Sequence, residues 1–420
     1  MPRTILRNAN LVDGLSPPRP ATVVIEGERV GAVLEPGAAP VSRTEDRTID
    51  LGGRTVMPGM VLGHYHASYH NLGSVPGPFG LDAPPALAAA RSARNFRLAL
   101  DCGFTGVIGA GSPWQTDAGL KQAIAEGTAV GPRIMACGRD VSTTGHFNDL
   151  SFPWYMDIRS SPSVALADGP EEFRKQVRRE IKEGAEIIKI FATGGHGVGI
   201  SQEQWQLSPE ELGAAIAAAD QRGAKVRAHL ANRDAILCAI ELGIHIVDHG
   251  DGFDEACIEA SVKRGTFLAP SLHFPKTMMR IAAGTNFAEG MRYDYAQMMA
   301  ILPKANAAGV KLLLGDDYGV LGFEHGTYGD ELALYVNDCG VPALDVIRWA
   351  TVNGAEAMGL GGQCGVVATG MLADLLVIDG DPVADITVLG DPDNVLAVFK
   401  GGVAHKDGLD RLPHRTAALA

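Results

Sequence analysis

Residues 56–66 read VMPGMVLGHYH, an apolar run that stops in two histidines one residue apart. Seven further runs share this build: GVIGAG (106–111), PRIMACG (132–138), EIIKIFATGG (186–195), KVRAHLA (225–231), IHIVDHG (244–250), GTFLAPSL (265–272) and VKLLLGDD (310–317). Short apolar runs bounded by glycine read as strands buried on both faces. Helical windows separate them, among them PEEFRKQVRREIKEG (170–184), SPEELGAAIAAADQRG (208–223) and DEACIEASVKRG (254–265). Ser208 before Pro209-Glu210-Glu211 is an N-cap with proline at N1, and Gly223 suits the C′ position. Eight buried strands alternating with helices predict a (β/α)8 TIM barrel over residues 58–364. A doubly wound open sheet is the competing arrangement, but its glycine-rich phosphate fingerprint is absent after the first strand.

Outside that region the pattern changes. TILRNANLVDG, ATVVIEGERVGAVLE and RTIDLGGRTVMPG at one end, and LADLLVIDGDP and NVLAVFKGGVAHKDG at the other, are short alternating strands with turn signals. They predict a small β-sandwich domain built from both termini, residues 1–57 and 365–420. The EGER stretch (26–29) reads as its first hairpin turn.

Composition sets outer limits. Of the 420 residues 46% are hydrophobic and 20% charged, as in an ordinary globular protein. With 36 Lys+Arg against 49 Asp+Glu, the net charge of −13 argues against a nucleic-acid or anionic-membrane binder. No apolar run reaches the roughly 18 residues of a transmembrane helix, and the N-terminus lacks a signal-peptide core. The six cysteines are scattered without a CxxC, which places the chain in a reducing compartment, the cytoplasm by default.

In a barrel the chemistry gathers at the carboxyl ends of the strands. The first strand ends in His64-Tyr65-His66. The fourth contains Lys189, the fifth His229, the sixth His249, and the eighth ends in Asp316-Asp317. The two-residue period of a strand points His64 and His66 the same way, so both can bind one metal. His229 and His249 close adjacent strands and can reach a second. A buried Lys189 ammonium is costly unless paired with a carboxylate or chemically changed. An ammonium has no lone pair, but the carbamate formed with CO2 is an anion able to bridge two cations. Asp317 can bind a metal through one oxygen and accept a proton through the other. Asp316 and Asp317 could equally form a capping turn. His245 opens its strand and is read as structural. His405 and His414 are read as solvated tail residues, and His70 as a loop histidine.

These motifs resemble the amidohydrolase superfamily, in particular the branch of imidazolonepropionase-like proteins, metal-dependent Xaa-Pro dipeptidases and Xaa-Lys/Arg carboxypeptidases. The likeness covers nearly the whole chain. It runs through Met57-Pro58-Gly59, His64-Tyr65-His66, Ile188-Lys189-Ile190 with Ala192-Thr193-Gly194-Gly195, Leu207-Ser208-Pro209-Glu210-Glu211-Leu212, Ala228-His229, Asp248-His249-Gly250, Gly315-Asp316-Asp317, Thr351-Val352-Asn353-Gly354-Ala355 and Ala373-Asp374-Leu375-Leu376-Val377. The resemblance implies a binuclear zinc-type site. His64, His66 and Asp317 would hold the more buried ion, His229 and His249 the exposed one, and carboxylated Lys189 would bridge. Asp317 would shuttle the proton. The stretch Thr143-Thr144-Gly145-His146 resembles a family loop that reaches the substrate, so His146 is a candidate for polarising a carbonyl or holding a carboxylate. His196, after the fourth-strand glycines, is placed to line the same pocket.

The chain departs from the family pattern at Gly315-Asp316-Asp317, usually GTD, and at Gly63, usually Asp or Asn. The implied activity is metal-dependent hydrolysis of an amide C–N bond in a small molecule, a dipeptide or N-acyl amino acid. The alternatives are a non-peptide amide, carbamate, urea or lactam, and a non-catalytic scaffold. A deaminase fits less well, because Lys189 is present and Leu230-Ala231-Asn232 follow His229 without a glutamate. Relatives of this kind often form homo-oligomers.

Overall fold

A computed structural model describes residues 3–38, 40–72, 83–146, 149, 155, 161–198 and 200–411. Five strands form from the first residues: β1 (Arg3–Leu11), β2 (Arg19–Glu26), β3 (Arg29–Leu34), β4 (Arg47–Asp50) and β5 (Thr55–Pro58). Ten strands follow with helices between them: β6 (Met60–Tyr65), β7 (Phe104–Gly109), β8 (Arg133–Met135), β9 (Cys137–Ser142), β10 (Val164–Leu166), β11 (Ile187–Phe191), β12 (Lys225–Leu230), β13 (Ile246–His249), β14 (Phe267–Ala269) and β15 (Lys311–Leu312). The chain then returns in β16 (Leu375–Ile378), β17 (Val395–Lys400) and β18 (Val403–Asp407).

The terminal strands make one eight-stranded sheet in the order β18-β17-β16-β5-β1-β2-β3, with β4 beside β1. Both ends of the chain therefore contribute, as the sequence pattern predicts, and Leu375 lies opposite Pro58. The sheet has its own apolar cluster, including Leu6, Val23, Ile25, Val56, Leu375, Val377 and Phe399. The EGER turn is a hairpin joining β2 to β3, with Gly27 at φ 59°.

The apolar run 56–66 is divided between two sheets. Val56 belongs to β5 and the terminal sheet, and Met60 begins β6 of the parallel layer. The break falls at Gly59, where a Cβ would lie 2.1 Å from Thr105 Oγ1. The run 132–138 likewise divides, into β8 and β9, and β10 had no counterpart among the predicted strands.

All ten middle strands pair in parallel, as a three-stranded sheet β6-β7-β8 and a seven-stranded sheet β10-β9-β11-β12-β13-β14-β15. From β11 to β15 the spatial order follows the chain, and β10 pairs with the far side of β9 at the edge. A parallel bridge between His64 and Gly315 joins the first of these strands to the segment after the last. A shared apolar cluster takes Val61, Ile108, Met135, Cys137, Ile187, Ile246 and Phe267 from strands of both sheets, with Leu313 just after β15.

Helices begin where the chain supplies caps. Helix Pro209–Asp220 opens with a full capping box between Ser208 and Glu211, and Asn232 caps helix Arg233–Leu242 through the amides of Asp234 and Ala235. Among the described residues no helix is long and apolar enough to cross a membrane, and all six cysteines are free.

One buried carboxyl has a measurable consequence for stability. Asp117 is buried beside Gly109, accepts from the Cys137 amide at 3.3 Å, and is pushed by burial up to about 7. A carboxyl whose folded-state pKa is raised leaves stability full below about 4 and lets it fall as pH rises through about 7. Ionised Asp117 costs up to about 4 kcal/mol at about 1.4 kcal/mol per pH unit. Asp117→Asn is therefore expected to raise the thermal midpoint at pH 8 and to leave it nearly unchanged at pH 4. Equal shifts at both values would show that ionisation is not the cause.

Candidate metal centre

Parallel strands with both faces buried bring polar residues together where the strands end, and the imidazoles of His64, His66, His229 and His249 gather there. His64 and His66 leave β6 on one side. Tyr65 turns to the other, where its hydroxyl donates to the Asn95 carbonyl at 2.8 Å. His64 Nε2 lies 3.2 Å from His66 Nε2 and 3.0 Å from Asp317 Oδ1, and His66 Nε2 lies 3.2 Å from the same oxygen. His249 closes β13 with its ring 5.2 Å from that of His64 and 4.6 Å from that of His229, which sits on β12. The sequence-predicted residues His64, His66, His229, His249 and Asp317 thus converge. His64, His249 and Asp317 offer ligand atoms within 4.8 Å of one another.

The protonation pattern explains why this cluster suits a cation. His64 Nδ1 lies 3.1 Å from Asp248 Oδ1 and 3.2 Å from Arg227 Nη2, so the ring is held from behind while its Nε2 faces Asp317 Oδ1 and His66 Nε2. Burial pushes His66 down to about 4 and holds His229 and His249 well below the usual imidazole range, so all three rings are neutral ligands at pH 7. Burial opposes the charge on Asp317, yet His64 and His66 keep its carboxyl well below the usual range. His66 Nδ1, His229 Nε2 and His249 Nδ1 are buried with no hydrogen-bond partner among the described residues. Each orphan costs about 1–3 kcal/mol. Several in one place mark a donor set awaiting an electrophile, and imidazole with carboxylate is the set that divalent transition metals take.

Lys189 lies on β11 and donates to Asp248 Oδ2 at 2.7 Å, the paired arrangement that the sequence left open. The same carboxylate receives Arg227 Nε at 3.0 Å and Nη2 at 2.5 Å. Arg227 is fully buried and also donates to the carbonyls of Gly63 and Gly109. Asp248 therefore stands behind His64 with two cations upon it, and those cations hold it well below the usual carboxylate range against its burial. A metal-binding histidine commonly donates its second nitrogen to such a carboxylate. Neither Asp248 nor Arg227 was singled out in the sequence. The Asp248-His249-Gly250 triplet carried a signal for the first, whereas Arg227 lies inside a strand-like run with no motif to mark it.

Gly63 is explained by packing, since a Cβ there would lie 2.7 Å from the Leu313 Cβ. Asp140, opposite Lys189 in the β9–β11 register, is a further buried carboxyl that the sequence did not flag, and burial raises it to about 7. Asp316 takes the capping part. Its oxygens accept from the amides of Phe274 at 2.9 Å and Asp317 at 2.7 Å. Glu331 secures the same turn by accepting from the Gly315 amide and from the hydroxyls of Tyr318 and Tyr335.

His146 follows β9, is buried, and packs 5.3 Å from the Phe191 ring, which in turn stacks on His229 at 5.0 Å. His196 stacks on His249 at 3.9 Å and donates from Nδ1 to Asp251 Oδ1 at 2.8 Å. Burial pulls His196 down, but the Asp251 charge and hydrogen bond prevail and raise it to about 9. Asp251 is another residue that the sequence reading did not include. His196 and His249 both hold left-handed backbone, φ 44° and 68°, a strained state that clusters at functional sites.

The other histidines sort themselves. His245 lies at the opposite end of β13 and bonds the Ala357 carbonyl at 2.9 Å, as expected of a structural residue. His70 is exposed. His405 is not a solvated tail residue: β18 brings it half-buried against the parallel layer. His414 lies outside the described residues.

Known proteins resemble this chain in sequence and in fold. Ochratoxinase of Aspergillus niger is 29% identical over 384 residues, spanning 84% of this chain and 75% of that one. A Xaa-Pro dipeptidase with methionine bound in its active site superposes with a TM-score of 0.86 at 28% identity, covering 96% of this chain and 100% of its own. A prolidase complexed with N-methylphosphonate-L-proline gives 0.84 at 32% identity, over 96% and 100%. The sequence model of the amidohydrolase family matches residues 55–404, from β5 through the last strand, and with it every clustered residue above; the chain belongs to the amidohydrolase family.

Proposed function

We propose that this protein is a metal-dependent hydrolase that cleaves an amide C–N bond joining an acyl group to an amino acid, in a dipeptide or an N-acyl amino acid. The observation that carries the reading is the convergence of the buried imidazoles of His64, His66, His229 and His249 with Asp317 at the strand ends. The parallel strands are read as one (β/α)8 barrel over residues 58–364, supported by the His64–Gly315 bridge and the shared apolar cluster. Residues 1–57 and 365–420 form the small β domain.

His64, His66 and Asp317 would hold one divalent ion, and His229 and His249 a second. Zinc suits these donors. Bound there, the ions would lower the pKa of a water between them and polarise the scissile carbonyl. Lys189 would bridge them as a carbamate. The ammonium gives up one proton to become an amine and the amine adds CO2 with loss of a second, which replaces a cation by an anion, and Arg227 remains to neutralise Asp248. Asp317 takes the proton of the attacking water and delivers it to the leaving nitrogen. His146 and His196 line the acyl and carboxylate side, and Asp251 fixes the His196 ring. The dipeptidase and prolidase relatives support this substrate class.

A second reading is a non-peptide or xenobiotic amide, carbamate, urea or lactam, and ochratoxinase, a relative named for a toxin, supports its xenobiotic branch. Zinc-loaded protein offered N-acyl amino acids, dipeptides and their carboxamide analogues, with products read by mass spectrometry, separates the two. Cleavage of the free acids alone upholds the first reading. Indifference to the carboxylate moves the assignment to the second.

If His146 holds the carboxylate, His146→Ala removes a hydrogen bond to a charged group worth about 1.5–3 kcal/mol, so KM for the free acid rises roughly 10–150-fold. The carboxamides should then be unaffected. A fall in kcat for both substrate types would instead place His146 on the carbonyl.

A further inference from the structure

At the amino-terminal ends of the parallel strands, away from the imidazoles that cluster with Asp317, lies a cavity of about 970 Å³. Arg133 opens β8 and Lys225 opens β12 on one wall, and the turn between β17 and β18 brings Lys400 to the other. Lys121 and Arg222 complete a set of five cationic side chains, facing the carboxylates Glu28, Glu186 and Glu356. In a chain of net charge −13 this excess runs against the composition.

The carboxylates do not cancel it. Glu186 is taken by Lys121 at 2.5 Å, and Glu356 by Lys311 from outside the cavity. Arg133 is held by Asp374 at 2.7 and 3.0 Å. Arg222 and Lys225 have no carboxylate partner among the described residues, and Lys400 donates to the Gly131 carbonyl at 2.5 Å. The positive field reaches the neighbours. Burial and then Arg133 lower Lys400, and burial and then Lys400 lower His405. Burial lowers His245 as well, with Lys225 among the cations that add to it. An anion seated here would relieve all three.

We propose that this cavity binds a small anion bearing a phosphate or a pair of carboxylates, held by Arg222, Lys225 and Lys400. Its volume lies at the upper end of the range of small-molecule sites, about 300–1,000 Å³. His245 and His249 stand at opposite ends of β13, roughly 13 Å apart at about 3.3 Å per residue, so the anion does not compete with substrate at the metal centre.

The test is calorimetric titration of the metal-containing protein with AMP and, separately, with glutarate. At least one probe should bind with Kd of about 1 mM or tighter, and added salt should weaken it. AMP alone assigns a phosphate ligand and glutarate alone a dicarboxylate. Arg222 and Lys225 are exposed, so Arg222→Glu/Lys225→Glu should fold, keep its hydrolytic activity and bind at least about tenfold more weakly. Should that pair not fold, Lys400→Gln carries the same expectation. No heat with either probe, or undiminished affinity in the folded variants, overturns the proposal.

Discussion

Lys189→Ala is expected to lose metal and most of its activity together. With a bridging carbamate, removing the side chain takes one anionic ligand from both ions. Metal content should fall to about one ion per chain or less, and kcat/KM by about a thousandfold or more, as for other loss of metal-assisted chemistry. Short carboxylates or amines supplied with CO2 should restore part of it. The pairing of Lys189 with Asp248 allows a distinct result. If Lys189 acts only as the partner of that carboxylate, the variant keeps its metal and instead loses stability. Arg227 still neutralises Asp248, so the loss stays below the roughly 3–5 kcal/mol of a fully broken buried pair. Metal analysis beside a denaturation curve tells the two apart, and unchanged metal content would remove the carbamate from the mechanism.

The second large effect is at Asp317. Asp317→Asn keeps the shape but cannot take a proton at that atom. A fall in kcat of about 10²–10⁴ with little change in KM is expected. Metal content must be measured on the same sample, because Asp317 also touches His64 and His66. Asp316→Asn is the control. Both Asp316 oxygens serve backbone amides, so that variant should act on stability and not on turnover. Retained kcat in Asp317→Asn would move the proton-transfer role to another group.

The strand ends were legible because a strand buried on both faces is mostly apolar, so imidazoles and carboxylates gathered at its carboxyl end stand out. His64, His66, His229, His249 and Asp317 all announced themselves in this way. The same burial hid Arg227. In KVRAHLA it occupies a position that would face solvent in an antiparallel sheet, yet here that face is interior and the guanidinium is fully enclosed by Asp248 and two carbonyls. Asp248 was hidden by its neighbour, since a residue beside a candidate ligand is easily taken for its setting. The division at Gly59 was hidden by hydrophobicity, which runs unbroken across it although the chain changes sheets. The cationic cavity depends on residues brought together from distant segments, and only the fold assembles them.

That division at Gly59 also bears on the order of events during synthesis. β5 is made early, but its partner β16 lies beyond all ten parallel strands. At about 5–20 residues per second, Pro58 waits on the order of tens of seconds for Leu375 to emerge. Through that interval β5 presents an unpaired apolar edge, the kind of edge that recruits other chains. The nascent protein therefore carries this exposed edge until β16 emerges, and slower elongation or a missing C-terminal hairpin should reduce soluble yield.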